Sequence, residues 1–576
     1  MPVINMDISD LGRLIGDGFD LGVFKERIPM IGATVEREEG SEISVEFFPD
    51  RPDLFSVEGV ARAYRSFITS ESGDPENVYR PGDDSDLVLE VDGNILDVRP
   101  VIAGAYITGV MIDERALLSI MNLQEKLHLT LGRRRKKVAI GIHDASPLKP
   151  PFRYWAAGPE EVRFVPLQKE GEWDLRRILE EHEKGMAYAD ILAGLDRYPM
   201  ITDSEGKVLS FPPIINGELT RVKVGTRDIF VDCTGWDRRA VSLAVNIVCS
   251  QLMDRGGELH RIEVRYPDIE GFSEHGLKSG KWPEYRFERW DLDLEWASRW
   301  LGIDLTEDEA TRSMKAMGYP VERIKEGGLR VGIPPWRGDI LHQADLVEDL
   351  AVGFGFENFK GKYPRMQTTG TERDIRKLTN LMRETMVGLG YLEVKTISLS
   401  NEETQFTYMG REERDHVSIR NPINTEHTML RDNGLPSLMN LLRANKHRDL
   451  PQRLFEVADV VVGNMNRTVL TAVSEDSRSS FTEIKGVVER LLSDLDMSYV
   501  PAHADLPWYI RGRAASIMVE GKMGVKGLRG KDVEEAVIGH FGEVHPRLIS
   551  GMELGTPVTA LEMDMTYLTS MMRDRS

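Results

Sequence analysis

Three stretches rich in glycine, proline and polar residues interrupt this chain. They lie near 70–93 (SESGDPENVYRPGDDSD), near 266–285 (YPDIEGFSEHGLKSGKWPE) and near 360–371 (KGKYPRMQTTGT). Such runs break regular backbone ladders and read as loops or linkers. A chain of 576 residues divided this way folds as several bodies, not around one core. The breaks predict an N-terminal α+β domain at 1–93, a strand- and helix-rich domain at 94–270, a compact α+β module at 286–360 and a sheet domain at 372–576. We find no internal repeat and no low-complexity tract.

Each piece carries local signals. In the first, VEFFPDRPDLFSVEGVARAYRSF (45–67) reads as a strand, an Asp/Pro-rich turn and a helix capped by Ser56 or Asp53. Asp50 and Arg51 belong to the turn, and Arg62 and Arg65 are expected on the exposed helix face. In the second, LLSIMNLQEKLHLTL (117–131) is an amphipathic helix and KVAIGIHDAS (137–146) a strand running into a loop. A series of hairpins is expected over 198–237. Within DIFVDCT, the period of two puts Ile229, Val231 and Cys233 on one face and Phe230, Asp232 and Thr234 on the other. With Asn216 on a neighbouring turn, the polar members could line a small pocket; an ordinary polar strand edge fits the same spacing.

In the third piece Thr306 and Glu309 form a capping box. The piece ends in PPWRGDILHQADLVEDLAVGFGF (334–356). Its two prolines introduce a helix predicted from near Leu341. Asp345, Glu348 and Asp349 fall at i, i+3, i+4 on one face, with Leu346, Leu350 and Phe354 on a buried stripe. Asp339 precedes the helix and can fold back. Clustered carboxylates suit a hard cation such as magnesium; a solvated acidic face suits the same spacing. In the fourth piece a helix (372–390), the strand YLEVKTISLS, the strand PQRLFEVADVVV (451–462) and late hairpins in SIMVEGKMGVKG and AVIGHFGEVHP fit an α+β antiparallel sheet. The glycines of GKMGVKGLRGK (521–531) read as a hairpin and not as a phosphate cradle.

Several function classes drop out. The longest apolar stretch, VSLAVNIVCSQLM (241–253), is short of the ~20 residues of a membrane span and reads as a buried helix. The stretch MPVINMDISDLGRLIG lacks a basic start followed by an apolar core, so export is not expected. Two cysteines, Cys233 and Cys249, make neither a disulfide scaffold nor a four-cysteine zinc site. The expected compartment is the cytoplasm. A net charge of −21 opposes indiscriminate nucleic-acid binding. It leaves room for a local basic groove, and RRRKK (133–137) is the densest positive run: a solvated loop or an RNA-backbone contact. No phosphate-binding loop, zinc-protease motif, C-x-x-C pair or G-x-S-x-G elbow occurs.

Six ordered segments carry a resemblance: VEFFPDRPDLFSVEGVAR, LQEKLHLTLGRRRKKVAIGIHD, FPPIINGELTRV, PPWRGDILHQADLVEDLAVGFGF, NPINTEHTMLRDNGLPSLMNLLRANKH and IGHFGEVHP. Across essentially its whole length the chain resembles the phenylalanyl-tRNA synthetase beta subunit of archaeal and eukaryotic cytosolic type. The resemblance implies an α+β multidomain fold whose last piece is a class II synthetase-like core without catalytic motifs. It implies an alpha partner in an α2β2 heterotetramer, which charges phenylalanine tRNA using ATP while the partner carries the synthetic site. No late Gly-rich, Arg-bearing class II motif is found here, and Arg431 and Arg443 read as structural or interfacial.

The resemblance also implies a magnesium element with Asp339, Asp345, Glu348 and Asp349 as ligands, structural and not catalytic. The second piece resembles an editing module. An apolar pocket rejects the extra hydroxyl of tyrosine only about a hundredfold, so a second site that hydrolyses tyrosyl-tRNA is expected. Ser210, Asn216, Asp232 and Thr234 are its candidate residues, for binding and for positioning water. Two other readings are a non-catalytic RNA-binding or scaffold paralogue and a magnesium-dependent hydrolase at 339–349; the second lacks a nucleophile or base.

Overall fold

A computed structural model of the chain describes residues 2–69, 74–324, 327–364, 366, 368–520 and 535–573. The hairpin expected at 521–531 lies outside the described residues. The chain forms two units, Met1–Tyr363 and Pro364–Ser576.

The first unit contains three principal sheets. A three-stranded antiparallel sheet orders Val3–Asp7, Glu42–Phe47 and Ala33–Glu39. The large sheet runs Ile215–Asn216, Val208–Phe211, Tyr198–Thr202, Phe152–Ala157, Val88–Val91, Glu258–Arg265, Val101–Thr108, Ile229–Gly235, Val138–Asp144. Val88–Val91 lies at its centre, parallel to both neighbours, although its sequence position falls in the first of the expected pieces. Helix Arg238–Asp254, which contains the longest apolar stretch, packs on the Val101–Thr108 and Ile229–Gly235 strands and buries Val241, Ala244, Val245 and Val248. A third sheet orders Glu288–Asp293, Gly328–Ile333 and Val321–Ile324. Beside it lie helices Glu307–Ala316, with the expected Thr306–Glu309 capping box, and Gln343–Phe354.

Buried charge ties distant segments of this unit together. Arg62, expected on an exposed face, is buried. It pairs with Asp254, 192 residues away, and its guanidinium sits 4.5 Å from the Trp336 ring centre. Tyr79 donates its hydroxyl to the same Asp254 at 2.5 Å. Next along the chain, Arg255 forks onto Asp10 at 2.7 and 2.9 Å and donates to Glu58 at 2.6 Å, all three buried. The helix read as half-solvated is therefore a structural joint: a charged side chain is stable in the interior when its partners are brought in with it.

The second unit is a seven-stranded sheet in the order Leu392–Glu393, Gln452–Val462, Met465–Glu475, Val558–Asp564, Glu535–Val544, Tyr509–Glu520, Val500–His503. All its pairs are antiparallel but the first. Alternation feeds two cores. Phe455 and Leu470 join helices Asp374–Gly388, Phe481–Ser493 and Met565–Arg573, whereas Leu454 and Val473 join helix Leu435–Ala444. YLEVKTISLS, expected as one strand, contributes only the short strands Leu392–Glu393 and Leu399–Ser400, in different sheets. Between them Thr396 turns aside to donate to Glu456 at 2.6 Å. Arg431 is buried and donates to the same carboxylate at 2.9 Å, so it serves the interior of this unit; Arg443 is exposed.

Candidate functional site

The most informative site draws its lining from both ends of the large sheet's strand order. A cavity of about 350 Å3 is lined by Ser210, Asn216 and Asp232 together with His128, Arg135, Gly141, His182 and Thr220. Ser210 and Asn216 are directly paired on the outermost short strands. Asp232 stands on Ile229–Gly235, where the residues opposite on its two neighbouring strands are Gly104 and Gly141. A Cβ at Gly141 would overlap Asp232 Oδ2 and come within 2.6 Å of His143 Nε2. The glycine thus makes room for a buried carboxylate and its partner.

That partner is His143. Its Nε2 lies 2.8 Å from Asp232 Oδ2 and its Nδ1 2.8 Å from Thr220 Oγ1, with all three residues buried. Asp232 is a pure acceptor when ionised, so the consistent tautomer donates Nε2–H to Asp232 and accepts the Thr220 hydroxyl at Nδ1. His128 accepts the Ile140 N–H at Nε2, 2.9 Å, which leaves its proton on Nδ1. Burial, with Arg135, Arg99 and Lys184 nearby, holds its pKa well below the usual imidazole range, so the ring is neutral. Three buried polar atoms on lining residues have no hydrogen-bond partner: His128 Nδ1, Ser210 Oγ and Arg135 Nε. Buried polar atoms left unpaired are rare and costly, and three on the residues of one lining mark it as a place for a polar guest or for ordered water.

Thr234 does not join them. It is on the Asp232 face but beyond the cavity, fully buried, where Arg99 Nε donates to its hydroxyl at 3.0 Å and Arg99 Nη2 to its carbonyl at 2.8 Å. Arg99 is itself buried against carbonyls, and burial pushes its pKa down to about 10. Thr234 is read here as the anchor of that arginine, not as a pocket residue.

The acidic segment also departs from expectation. The helix begins at Gln343, with His342 as its N-cap. Asp345 caps it, accepting the N–H groups of Leu341 and His342 at 2.7 and 2.8 Å. Arg337 donates to Asp339 at 2.8 and 2.5 Å and to Asp349 at 2.7 Å; Tyr319 also donates to Asp349. Burial pushes the Asp339 carboxyl up, but Arg337 outweighs it and holds the pKa low. Exposed Glu348 is pushed up by partial burial and by Asp349, Asp50, Asp345 and Asp339. Among the described residues no three His, Cys, Asp or Glu side chains are arranged to hold a metal ion. As folded here, the four carboxylates do not fit magnesium: two are engaged by a guanidinium and one by a helix end. Leu346 and Leu350 are buried as expected, Phe354 only half so.

Comparison with known proteins places these features. Residues 360–565 match the family model "Phenylalanyl tRNA synthetase beta chain CLM domain", 290–356 the "tRNA synthetase B5 domain" and 111–262 the "B3/4 domain". The chain is 41% identical over 569 residues to the phenylalanine–tRNA ligase beta subunit of Methanococcoides burtonii, covering 98% of this chain and 100% of that one. The chain belongs to the phenylalanyl-tRNA synthetase beta-subunit family. The beta subunit of Archaeoglobus fulgidus is 40% identical, with 98% of each chain covered. A crystal structure of an N-terminal fragment of the Pyrococcus horikoshii beta subunit superposes with a TM-score of 0.57 at 35% identity, covering 62% of this chain and all of the fragment.

Within this beta-subunit chain the cavity lining falls inside the B3/4 match, and the acidic helix falls inside the B5 match. His128, His143, His182, Arg135, Thr220 and Gly141 were absent from the sequence-based site. One signal for two of them was present: in AIGIHD, Gly141 and His143 share a strand face by the same period of two that singled out Asp232.

Proposed function

We propose that this chain is the non-synthetic, proofreading subunit of a heteromeric phenylalanine–tRNA ligase, acting in the cytoplasm with an alpha partner in an α2β2 assembly. The four functional pieces are then an N-terminal domain, an editing domain at 94–270, an acidic-helix module at 286–360 and a class II-like core at 372–576 that has given up nucleotide handling. Arg431 supports the last point, because its guanidinium is consumed by Glu456.

The observation that carries the editing role is the convergence of Asp232, Ser210 and Asn216 in one cavity, with unpartnered buried polar atoms on Ser210, His128 and Arg135 of its lining. A tyrosyl group differs from a phenylalanyl group by one hydroxyl, and a site built to hydrogen-bond that hydroxyl discriminates far better than an apolar pocket does. Asp232, held by His143, accepts the phenolic hydrogen. Ser210 and Asn216 bracket the aminoacyl group. Neutral His128, a lining residue whose Nδ1–H has no protein acceptor, holds the water that attacks the ester. No side-chain nucleophile is required, and no step runs through magnesium at 339–349.

The test is hydrolysis of tyrosyl-tRNA by the complex of this chain with its alpha partner. Asp232→Ala should abolish hydrolysis while aminoacylation persists. Full hydrolysis by the variant would overturn the assignment, and aminoacylation by the lone chain would overturn the division of labour.

A further inference from the structure

Arg133, Arg134 and Arg135 have φ angles of 47°, 55° and 66°. Three successive side-chain-bearing residues in the left-handed region are unusual, since even single ones favour Gly, Asn or Asp. Nothing in the composition of this turn relieves the strain, so the surroundings hold it. Gly132 N–H donates to Leu127 O at 2.7 Å, Arg135 N–H to His128 O at 3.2 Å and Lys137 N–H to Gly132 O at 2.8 Å. From the interior, Arg99 donates to the carbonyls of Arg135 and Lys136 at 3.1 and 3.3 Å. A buried cation is thus spent on fixing the backbone of a basic turn.

The conformation sorts the side chains. Arg135 turns inward, donates to Ile214 O at 2.8 Å, lies 4.4 Å from the Tyr188 ring centre and lines the cavity. Arg133 and Arg134 are thrown out into solvent. Their neighbours are matched: Lys136 pairs with Asp190 at 2.9 Å and Lys137 with Asp237 at 3.0 Å. Among the described residues Arg133 and Arg134 make no side-chain hydrogen bond or salt bridge. In a chain of net charge −21, a strained turn next in sequence to a cavity-lining arginine thus holds two exposed guanidiniums that no salt bridge engages, Asp190 acting on Arg134 only from a distance.

We propose that Arg133 and Arg134 grip two backbone phosphates of the tRNA acceptor strand as its aminoacylated end enters the cavity. This rests on the editing reading above. Arginine pairs with phosphate through charge-assisted, bidentate hydrogen bonds, and the single-stranded end of an RNA presents phosphates without a sequence requirement. Strain in the turn fixes where the two side chains start, so the strand meets a placed pair and not a flexible one.

The test replaces both residues with glycine in the full alpha–beta complex. Glycine is at ease at positive φ, so Arg133→Gly/Arg134→Gly should keep or raise the melting temperature while removing the charge. For tyrosyl-tRNA hydrolysis, KM should rise at least 10-fold at physiological salt with kcat held. The log KM against log salt slope should drop by about 1.4, two phosphates at ~0.7 each for a single strand. Arg133→Lys/Arg134→Lys should recover most of the slope. An unchanged KM and slope, or a loss confined to kcat, overturns the proposal. Asp232→Ala keeps the two readings apart. If that variant still hydrolyses tyrosyl-tRNA the editing assignment fails, whereas the contribution of the arginine pair is still read in its background from the salt dependence of uncharged tRNA binding.

Discussion

Gly141→Ala is the sharpest probe of the site, because it adds one methyl group where the structure has no space. The new carbon would press on Asp232 Oδ2 and stand 2.6 Å from His143 Nε2, whereas carbon and oxygen ordinarily meet at ~3.3 Å or more. Backbone relief is resisted, since Gly141 is paired in register with Asp232 in a strand that, although last in the sheet, is buried along most of its length. The carboxylate must therefore retreat by about 1 Å, and a misplacement of that size typically lowers catalysis about 100-fold, or about 2.7 kcal/mol of transition-state stabilisation. Overpacking should also cost about 1–3 kcal/mol of stability. The assay is hydrolysis of tyrosyl-tRNA by the alpha–beta complex, with aminoacylation by the same preparation and calorimetry as controls. Wild-type hydrolysis by a folded Gly141→Ala complex would refute the claim that Asp232 and His143 work as a close pair.

Three further outcomes are expected. His128 is neutral when folded and its pKa lies below the ~6.5 of an unfolded chain, so the unfolded state takes up the proton. Stability is then present above about pH 6.5 and falls below it, by up to about 1.4 kcal/mol per pH unit; melting curves from pH 7.5 to 5 should be flatter for His128→Asn, and identical slopes would count against it. Arg337→Met strands Asp339 and Asp349 without their counter-ion and should cost about 3 kcal/mol in thermal denaturation, whereas EDTA should leave the wild-type melting temperature unmoved; a metal-dependent wild type would contradict the guanidinium reading. Thr234→Val removes the acceptor of Arg99 Nε and should cost about 1–3 kcal/mol, measured by calorimetry; an unaltered transition would show that Arg99 does not depend on it.

The parts of this molecule legible in the sequence are those set by near neighbours. Alternation placed Asp232 on an inner face, and the Thr306–Glu309 spacing announced a helix start. Long-range pairing was not legible. Arg62 sits on a helix where a cation ordinarily faces water, and only the approach of Asp254 from 192 residues away brings it inside. Asp349 belongs to an acidic stripe by spacing, yet Arg337 and Tyr319 bury it. Thr234 shares the face of Asp232, but the cavity ends before it, because Arg99 fills the space beyond. The histidines at 128, 143 and 182 carry no mutual spacing; separate elements bring His128 and His182 to one cavity and set His143 against its Asp232.

The charged joints at Arg62 and Arg255 bear on how such a gene can be recombined. Asp254 and Arg255 terminate the main helix of the proposed editing region, but their partners Asp10, Glu58, Arg62 and Tyr79 precede it, and the Trp336 ring that covers Arg62 follows it. A cassette cut at 94 and 270 would carry an aspartate and an arginine whose counter-charges had stayed behind. A transplanted 94–270 segment therefore needs the leading segment as well, and exchange between lineages should preserve the two together.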